Sequence, residues 1–184
     1  MKYNRDWLIG ELEKGKSPKY LAFWGHRPSL DGSLTKTCFS QWWSGNAFIE
    51  DGIIYRTAEH YMMAGKAKLF GDGEIRSQII ESSSPGEAKK LGRKVKNFDQ
   101  SLWESKRCEI VVRGNYLKFS QNESLKEFLL NTNNRIIVEA SPVDKIWGIG
   151  MDPNNRNVGN PQNWLGDNLL GFCLMETRDI LKLP

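Results

Sequence analysis

Apolar and polar positions follow two different periods along the chain, and each period predicts a different element. Residues 4–14 place a tryptophan and two leucines near helical spacing, which predicts a helix. Residues 20–24 have the character of a short strand. Residues 47–55 have that of a hairpin, because Asp51 and Gly52 are typical residues of a two-residue turn. The sheet is therefore expected to be small and antiparallel.

Capping residues predict where most of the other helices begin. Thr57 and Ser84 are good N-caps, since a hydroxyl can accept a hydrogen bond from a first-turn N–H. Asp99 or Ser101 opens the longest helix. The predicted helices cover residues 57–70, 84–96, 99–120, 122–131 and 168–181, and a buried strand is expected at 136–138. The pattern predicts an α+β fold, a mainly helical single domain with a small antiparallel sheet.

The composition is typical of a water-soluble globular protein. The 184 residues are 39% apolar and 26% charged, and no apolar run approaches the ~20 residues that a membrane span needs. Acids and a tryptophan stand near the N-terminus where a signal peptide needs an apolar stretch. We therefore expect a cytoplasmic protein without membrane contact.

Cysteine and histidine content argues against a disulfide framework and a zinc centre. Cys38, Cys108 and Cys173 are odd in number and far apart, so buried structural thiols are expected. His26 and His60 are the only histidines, and no CxxC pair accompanies them. No cofactor or metal is expected, and only a carboxylate-bound Mg²⁺ is left open.

The charge balance favours a ligand that carries phosphate. The net charge is +4 and the isoelectric point is near 8.9. The basic residues are dispersed and often have acids nearby, so this excess alone does not establish nucleic-acid binding.

The first candidate segment for chemistry runs from Thr57 to Lys66. Glu59 falls in the opening turn of a helix, where unpaired N–H groups and the helix dipole favour a carboxylate by about 0.3–1 kcal/mol. Such a glutamate suits orienting a ribose hydroxyl, activating water or stabilising positive charge. Lys66 lies seven residues on, hence on the same face, and could meet a phosphate. From spacing alone, a capped helix with a solvated glutamate is the commoner arrangement.

The second and third segments carry an aromatic residue and an acid. Trp103 stands near the start of a helix that also bears Arg107 and Arg113, so an indole could stack on a base while an arginine meets phosphate. Such a tryptophan is more often part of the core. Asp144 precedes a glycine-containing run to Gly150 and a long asparagine-rich loop. It could pair with a second acid, or it could simply form a turn.

Taken together, these segments resemble the ordered motifs of the NADAR superfamily. The motifs are Phe23-Trp24-Gly25, Thr57-Ala58-Glu59-His60-Tyr61 with Lys66, Trp103, Lys118-Phe119, Asp144 to Gly150, and Asn168-Leu169-Leu170-Gly171 with Leu174-Met175 and Arg178. They extend over about residues 20–181. The resemblance implies an N-terminal helical extension over residues 1–19 and a NADAR-like N-glycosidase domain over residues 20–184.

The resemblance also implies a reaction, namely hydrolysis of a C1′–N bond that joins phosphoribose or ADP-ribose to an exocyclic amine of a base. The family's functional positions map to Glu59, Trp103 and Asp144, which are the predicted catalytic residues. The predicted substrate-binding residues are Trp24, Gly25, His60, Lys66, Arg107, Arg113, Trp147, Gly148 and Asn168.

Two substrate classes accompany the family: ADP-ribose on guanine in DNA, and phosphoribosylamino-pyrimidine intermediates of riboflavin synthesis. Members of the riboflavin type resemble a WGDG pattern, whereas this chain has Ile149 in place of the acid. Asp152 could compensate. The departure favours ADP-ribosylated guanine, and a DNA ADP-ribosyltransferase would then be a functional partner. A non-catalytic nucleotide-binding module, and a basic nucleic-acid-binding domain, are the alternatives of other classes.

Overall fold

The computed structural model describes residues 1–183; Pro184, the last residue of the predicted 20–184 domain, lies outside the described residues. The helices are α1 (Arg5–Glu13), α2 (Ala58–Leu69), α3 (Gly73–Glu81), α4 (Pro85–Gly92), α5 (Gln100–Ser120), α6 (Glu123–Leu130) and α7 (Leu169–Leu181). The strands are β1 (Tyr20–Phe23), β2 (Phe48–Glu50), β3 (Ile53–Tyr55) and β4 (Ile136–Glu139). The mainly helical α+β fold is confirmed. Within residues 1–183, no helix combines the length and apolarity needed to cross a membrane.

Three of the predicted N-caps begin helices as expected. Thr57, Ser84 and Asp99 have extended backbones, and their side chains accept hydrogen bonds from the first turns of α2, α4 and α5. These caps satisfy N–H groups that a helix start leaves unpaired. The starts of these three helices are therefore encoded locally.

Helix α3 was not predicted, and α4 ends earlier than expected. Only Ile75 and Ile79 of α3 are buried, so its apolar stripe is too short to show a clear period. Asp72 caps α3 by accepting from the Ile75 N–H at 3.2 Å. Its second oxygen accepts from the Lys96 N–H at 2.9 Å. That bond ties the backbone at Lys96 to the start of α3, and α4 ends four residues earlier, at Gly92.

The hairpin is confirmed as an antiparallel pair. Phe48 of β2 lies opposite Tyr55 of β3. Asp51 and Gly52 both have positive φ, at 50° and 77°, which a two-residue turn between twisted strands requires.

The other sheet corrects the expectation of antiparallel strands alone. β1 and β4 pair in parallel, with Tyr20 opposite Ile136 and Phe23 opposite Glu139. Parallel strands need a long crossover connection, and here more than a hundred residues separate the two strands in the sequence. Short-range patterns carry no information on such a pairing.

The chain divides into two compact units. One, the split unit, combines Met1–Phe39 with the residues from Ser124 onward, and the other, the central unit, is Ser40–Glu123. In the split unit α7 packs on β4, and β4 pairs with β1. In the central unit α2 packs against α3, α4 and α5. Cys38 and Cys173 are buried, as expected, whereas Cys108 is partly exposed.

Candidate active site

Glu59 is the second residue of α2, and it is buried in the central unit. Its exposure is 3%, so the carboxylate is not the solvated side chain that a capped helix usually carries. The Glu59 N–H donates to the Gln41 carbonyl at 2.9 Å. The segment before α2 therefore fixes the backbone from which this side chain projects.

The Ser40–Gln41 segment also joins α5 through two polar residues. The Gln41 amide donates to Asn115 Oδ1 at 3.0 Å, and the Lys118 ammonium donates to the Ser40 carbonyl at 3.0 Å. Asn115 and Lys118 are both fully buried. Sequence reasoning assigned neither of them a role. The available signal was their place on the buried face of α5, among Val111 and other apolar residues.

His60, a predicted substrate-binding residue, is buried and hydrogen-bonded within the central unit. Its Nε2 lies 3.2 Å from the Ser82 carbonyl, and its Nδ1 lies 2.8 Å from the Thr57 hydroxyl. A carbonyl only accepts, so Nε2 donates and Nδ1 accepts from Thr57 in the neutral ring. Burial lowers the pKa of His60 below its ordinary value.

The lowered pKa of His60 predicts a pH-dependent stability. As pH falls through the ordinary histidine range, His60 binds a proton more readily in the unfolded chain than in the folded protein. The free energy of unfolding therefore decreases from about pH 7 to about pH 5. Urea unfolding at several pH values should show a smaller decrease in His60→Gln than in the native protein. An unchanged dependence in His60→Gln would contradict this assignment.

The structure brings Lys66 and Trp103 together. The Lys66 ammonium donates to the Gly92 carbonyl at 2.9 Å. It lies 4.2 Å from the Phe98 ring centre and 5.8 Å from that of Trp103. Burial lowers the pKa of Lys66. Seven residues along a helix correspond to about 10 Å, so this cluster and Glu59 lie about that far apart along α2.

The two predicted arginines of α5 differ in their surroundings. Arg113 Nε donates to Glu50 at 2.7 Å, and the Tyr61 hydroxyl donates to the same carboxylate at 2.7 Å. Arg107 lies one turn after Trp103, and its Nε is buried without a hydrogen-bond partner among residues 1–183. Phosphate binding by either arginine stays a prediction.

In the split unit, Asp144 stabilises a turn. Its Oδ1 accepts from the Ile146 N–H at 2.9 Å and from the Trp147 N–H at 2.8 Å. Its own carbonyl accepts from the Gly150 N–H at 3.0 Å. One carboxylate oxygen of Asp144 therefore stabilises the turn. The predicted catalytic role of Asp144 stays a prediction.

Gly148 and Asn168 hold the end of β4. A Cβ at Gly148 would lie 2.8 Å from the Glu139 carbonyl oxygen, so only glycine allows this close approach. The fully buried Asn168 has a left-handed backbone with φ of 57°. Its side chain accepts from the Glu139 N–H and donates to the Ile137 carbonyl, both at 2.9 Å. Both residues therefore have a structural role at the end of β4. Their predicted contacts with substrate stay predictions.

Trp24 and Gly25 follow directly after β1. The Trp24 side chain is 49% exposed, and Gly25 has a φ of 84°. The exposed indole therefore lies directly after the carboxyl end of β1. Trp147, the other predicted tryptophan of this unit, is partly exposed.

The predicted site residues thus fall in two groups. The central unit holds Glu59, His60, Lys66, Trp103, Arg107 and Arg113, and the split unit holds Trp24, Gly25, Asp144, Trp147, Gly148 and Asn168. Over the described residues 1–183, no three His, Cys, Asp or Glu side chains are grouped so that they could hold a metal ion.

Buried ionisable groups such as Glu59 and Lys118 cluster at enzyme active sites, so the fold and the site define a small, mainly helical enzyme of the α+β class. A family model for the NADAR domain matches residues 22–182. The chain belongs to the NADAR domain family.

Several known proteins are similar to this chain. N-glycosidase R617 of Acanthamoeba polyphaga mimivirus is 44% identical, over 89% of this chain and 97% of that protein. N-glycosidase Npun_R5314 of Nostoc punctiforme is 30% identical, over 79% of this chain and 85% of that protein. The NMR structure of the E. coli protein YbiA superposes with a TM-score of 0.67 at 29% identity, covering 89% of this chain and 86% of that one. These relatives match between 79% and 89% of this chain.

Proposed function

We propose that this chain hydrolyses the C1′–N bond between ADP-ribose and the exocyclic amine of guanine in DNA. At the coarser level the chain is a hydrolase acting on N-glycosyl bonds, as are the relatives named N-glycosidase. The burial of Glu59 supports the reaction type, and the residue that stands at position 149 supports the finer assignment of the substrate.

The buried carboxylate of Glu59 is the observation that carries the reaction type. When a C1′–N bond lengthens, the ribose gains oxocarbenium character and positive charge. A carboxylate that is fixed before the reaction stabilises this charge without the cost of reorganising solvent. Glu59 meets this requirement, because it is 3% exposed and its N–H is anchored to Gln41. The first-turn position further favours its ionised form.

The surroundings of Ile149 support the larger substrate. Ile149 is fully buried, and its N–H donates to the Glu139 carbonyl at 2.9 Å. It therefore offers no polar group in place of the acid of the WGDG pattern. Asp152 is exposed, and its Oδ1 accepts from the Asn154 N–H within a turn, so it does not replace the missing acid. Both observations argue against a riboflavin-type site.

Trp103 is proposed to bind the base or sugar of the substrate. Its indole is partly exposed, and the Lys66 ammonium and the exposed Phe98 lie beside it. Trp103→Ala should raise KM roughly tenfold or more, because stacking on a base contributes about 1–3 kcal/mol. Trp103→Phe should recover most of this loss. Steady-state kinetics checks the prediction, with Leu102→Ala, an exposed neighbour on α5, as the control. A KM that is unchanged in Trp103→Ala would exclude stacking.

The proposed substrate is tested by two parallel incubations. Purified protein is mixed with guanine-ADP-ribosylated DNA and, separately, with a phosphoribosylamino-pyrimidine, and the released sugar is followed by mass spectrometry. Release of ADP-ribose from DNA supports the proposal. Release from the pyrimidine alone would replace it with clearance of riboflavin intermediates. Binding of ADP-ribose without release from either substrate would indicate a non-catalytic module.

Two further expectations accompany this proposal without being tested by the fold. A DNA ADP-ribosyltransferase would supply the modified guanine that the enzyme consumes, and the reaction would take place in the cytoplasm. Both stay predictions.

A further inference from the structure

Lys118 is an unusual residue of the central unit, because it is a fully buried lysine. Burying an ammonium group is costly unless opposite charge and hydrogen bonds compensate it. The Lys118 ammonium donates to the Ser40 carbonyl at 3.0 Å and lies 5.1 Å from the Phe119 ring centre. A fully buried ammonium group is therefore expected to lie near a buried anion.

The same segment links Lys118 to the start of α2. The carbonyl of Ser40 accepts from Lys118, and the next carbonyl, that of Gln41, accepts from the Glu59 N–H at 2.9 Å. The Gln41 side chain also donates to Asn115, which lies one turn before Lys118 on α5. The ammonium and the Glu59 backbone are thus attached to consecutive peptide groups.

The charge inventory of the central unit points to the same two residues. Within residues 40–123, the buried side chains that carry charge are Glu59, Asp72 and Lys118. The Asp72 carboxylate already accepts from the Ile75 and Lys96 N–H groups. Glu59 and Lys118 are therefore two oppositely charged, buried side chains of this unit, and the Ser40–Gln41 segment bonds to both residues.

Two other basic side chains, those of His60 and Arg56, lie close to Glu59 in the sequence. His60, the next residue, is buried, which lowers its pKa and disfavours its charged form. Arg56 Nη1 donates to the Ser82 carbonyl at 3.2 Å, the same carbonyl that His60 contacts. Asn115 of α5 is uncharged. Lys118 is the buried cation on the side of α5.

We propose that Lys118 is a positioning residue that keeps Glu59 ionised and holds the start of α2 in place through the Ser40–Gln41 segment. This inference rests on the proposed function in assigning catalysis to Glu59. A cation near a carboxylate favours its charged form, and a carboxylate that stays ionised at lower pH extends the range in which it can stabilise an oxocarbenium-like ribose.

A stability cycle tests the electrostatic coupling without any substrate. Lys118→Met should lower the Tm by roughly 10 °C, because it leaves a buried carboxylate without its counter-charge. Adding Glu59→Gln to Lys118→Met should restore part of that loss, whereas Glu59→Gln alone should not raise the Tm. Lys106→Met, an exposed lysine of the same helix, should leave the Tm unchanged. Additive effects of the two substitutions would overturn the proposal.

The pH profile of turnover separates an electrostatic role from a merely structural one. In Lys118→Met, the acidic limb of kcat/KM should move up by roughly one pH unit, because the pKa of Glu59 rises when the cation is lost. Lys118→Arg should return the limb toward its native position. A lower rate with an unmoved limb would overturn the proposal. If the native protein shows no turnover at all, the proposed function fails, while the stability cycle still decides on the coupling.

Discussion

Glu59→Gln should reduce turnover by roughly 10²–10⁴-fold while leaving ligand binding nearly intact. The substitution keeps the size and hydrogen-bonding capacity of the side chain but removes the negative charge. Glu59 is buried and its backbone is anchored, so no neighbouring solvent can replace the lost charge in the transition state. The release of ADP-ribose from modified DNA measures turnover, and calorimetric titration with ADP-ribose measures binding.

Glu74→Gln is the matched control for this experiment. Glu74 is the second residue of α3, just as Glu59 is the second residue of α2, but its side chain is 71% exposed. Its substitution should leave both turnover and binding unchanged. Comparable turnover in Glu59→Gln and the native protein would remove Glu59 from the mechanism. Loss of ADP-ribose binding in Glu59→Gln would make it a binding residue instead.

Gly171→Ala should lower the free energy of unfolding by about 3 kcal/mol, because α7 touches β4 at this position. A Cβ on Gly171 would lie 2.1 Å from the Ile137 carbonyl oxygen and 2.5 Å from Asn168 Nδ2. Both are held in place, since Asn168 Nδ2 donates to that same carbonyl. The added methyl group must therefore push the helix away from the strand. Urea unfolding measures the change.

Gly10→Ala provides the opposite expectation in the same unit. Gly10 lies within α1, and a Cβ there would meet no atom within 4 Å. The substitution should raise the free energy of unfolding by up to about 1 kcal/mol, because alanine favours the helix more than glycine does. If Gly171→Ala proves as stable as the native protein, the close approach of α7 to β4 at Gly171 is contradicted.

Local sequence signals were sufficient for elements whose stabilising contacts are close in the chain. The starts of α2, α4 and α5 depend on caps that bond three residues ahead, and the hairpin depends on Asp51 and Gly52. Helix α3 escaped prediction because its apolar stripe consists of two isoleucines. The parallel pairing of β1 with β4 escaped because no short-range pattern specifies a partner so distant in sequence.

The sequence by itself determined the helical α+β class, the position of Glu59 in a first turn and, through the ordered motifs, the family. It also placed Trp103 and Lys66 on helices without indicating that they meet. Only the tertiary structure decided that Glu59 is buried, that Asn168 stabilises β4, and that Lys118 is a buried cation. The physical reason is that burial and charge compensation depend on residues such as Ser40 and Lys118, which lie far apart in sequence and come together only when the chain folds.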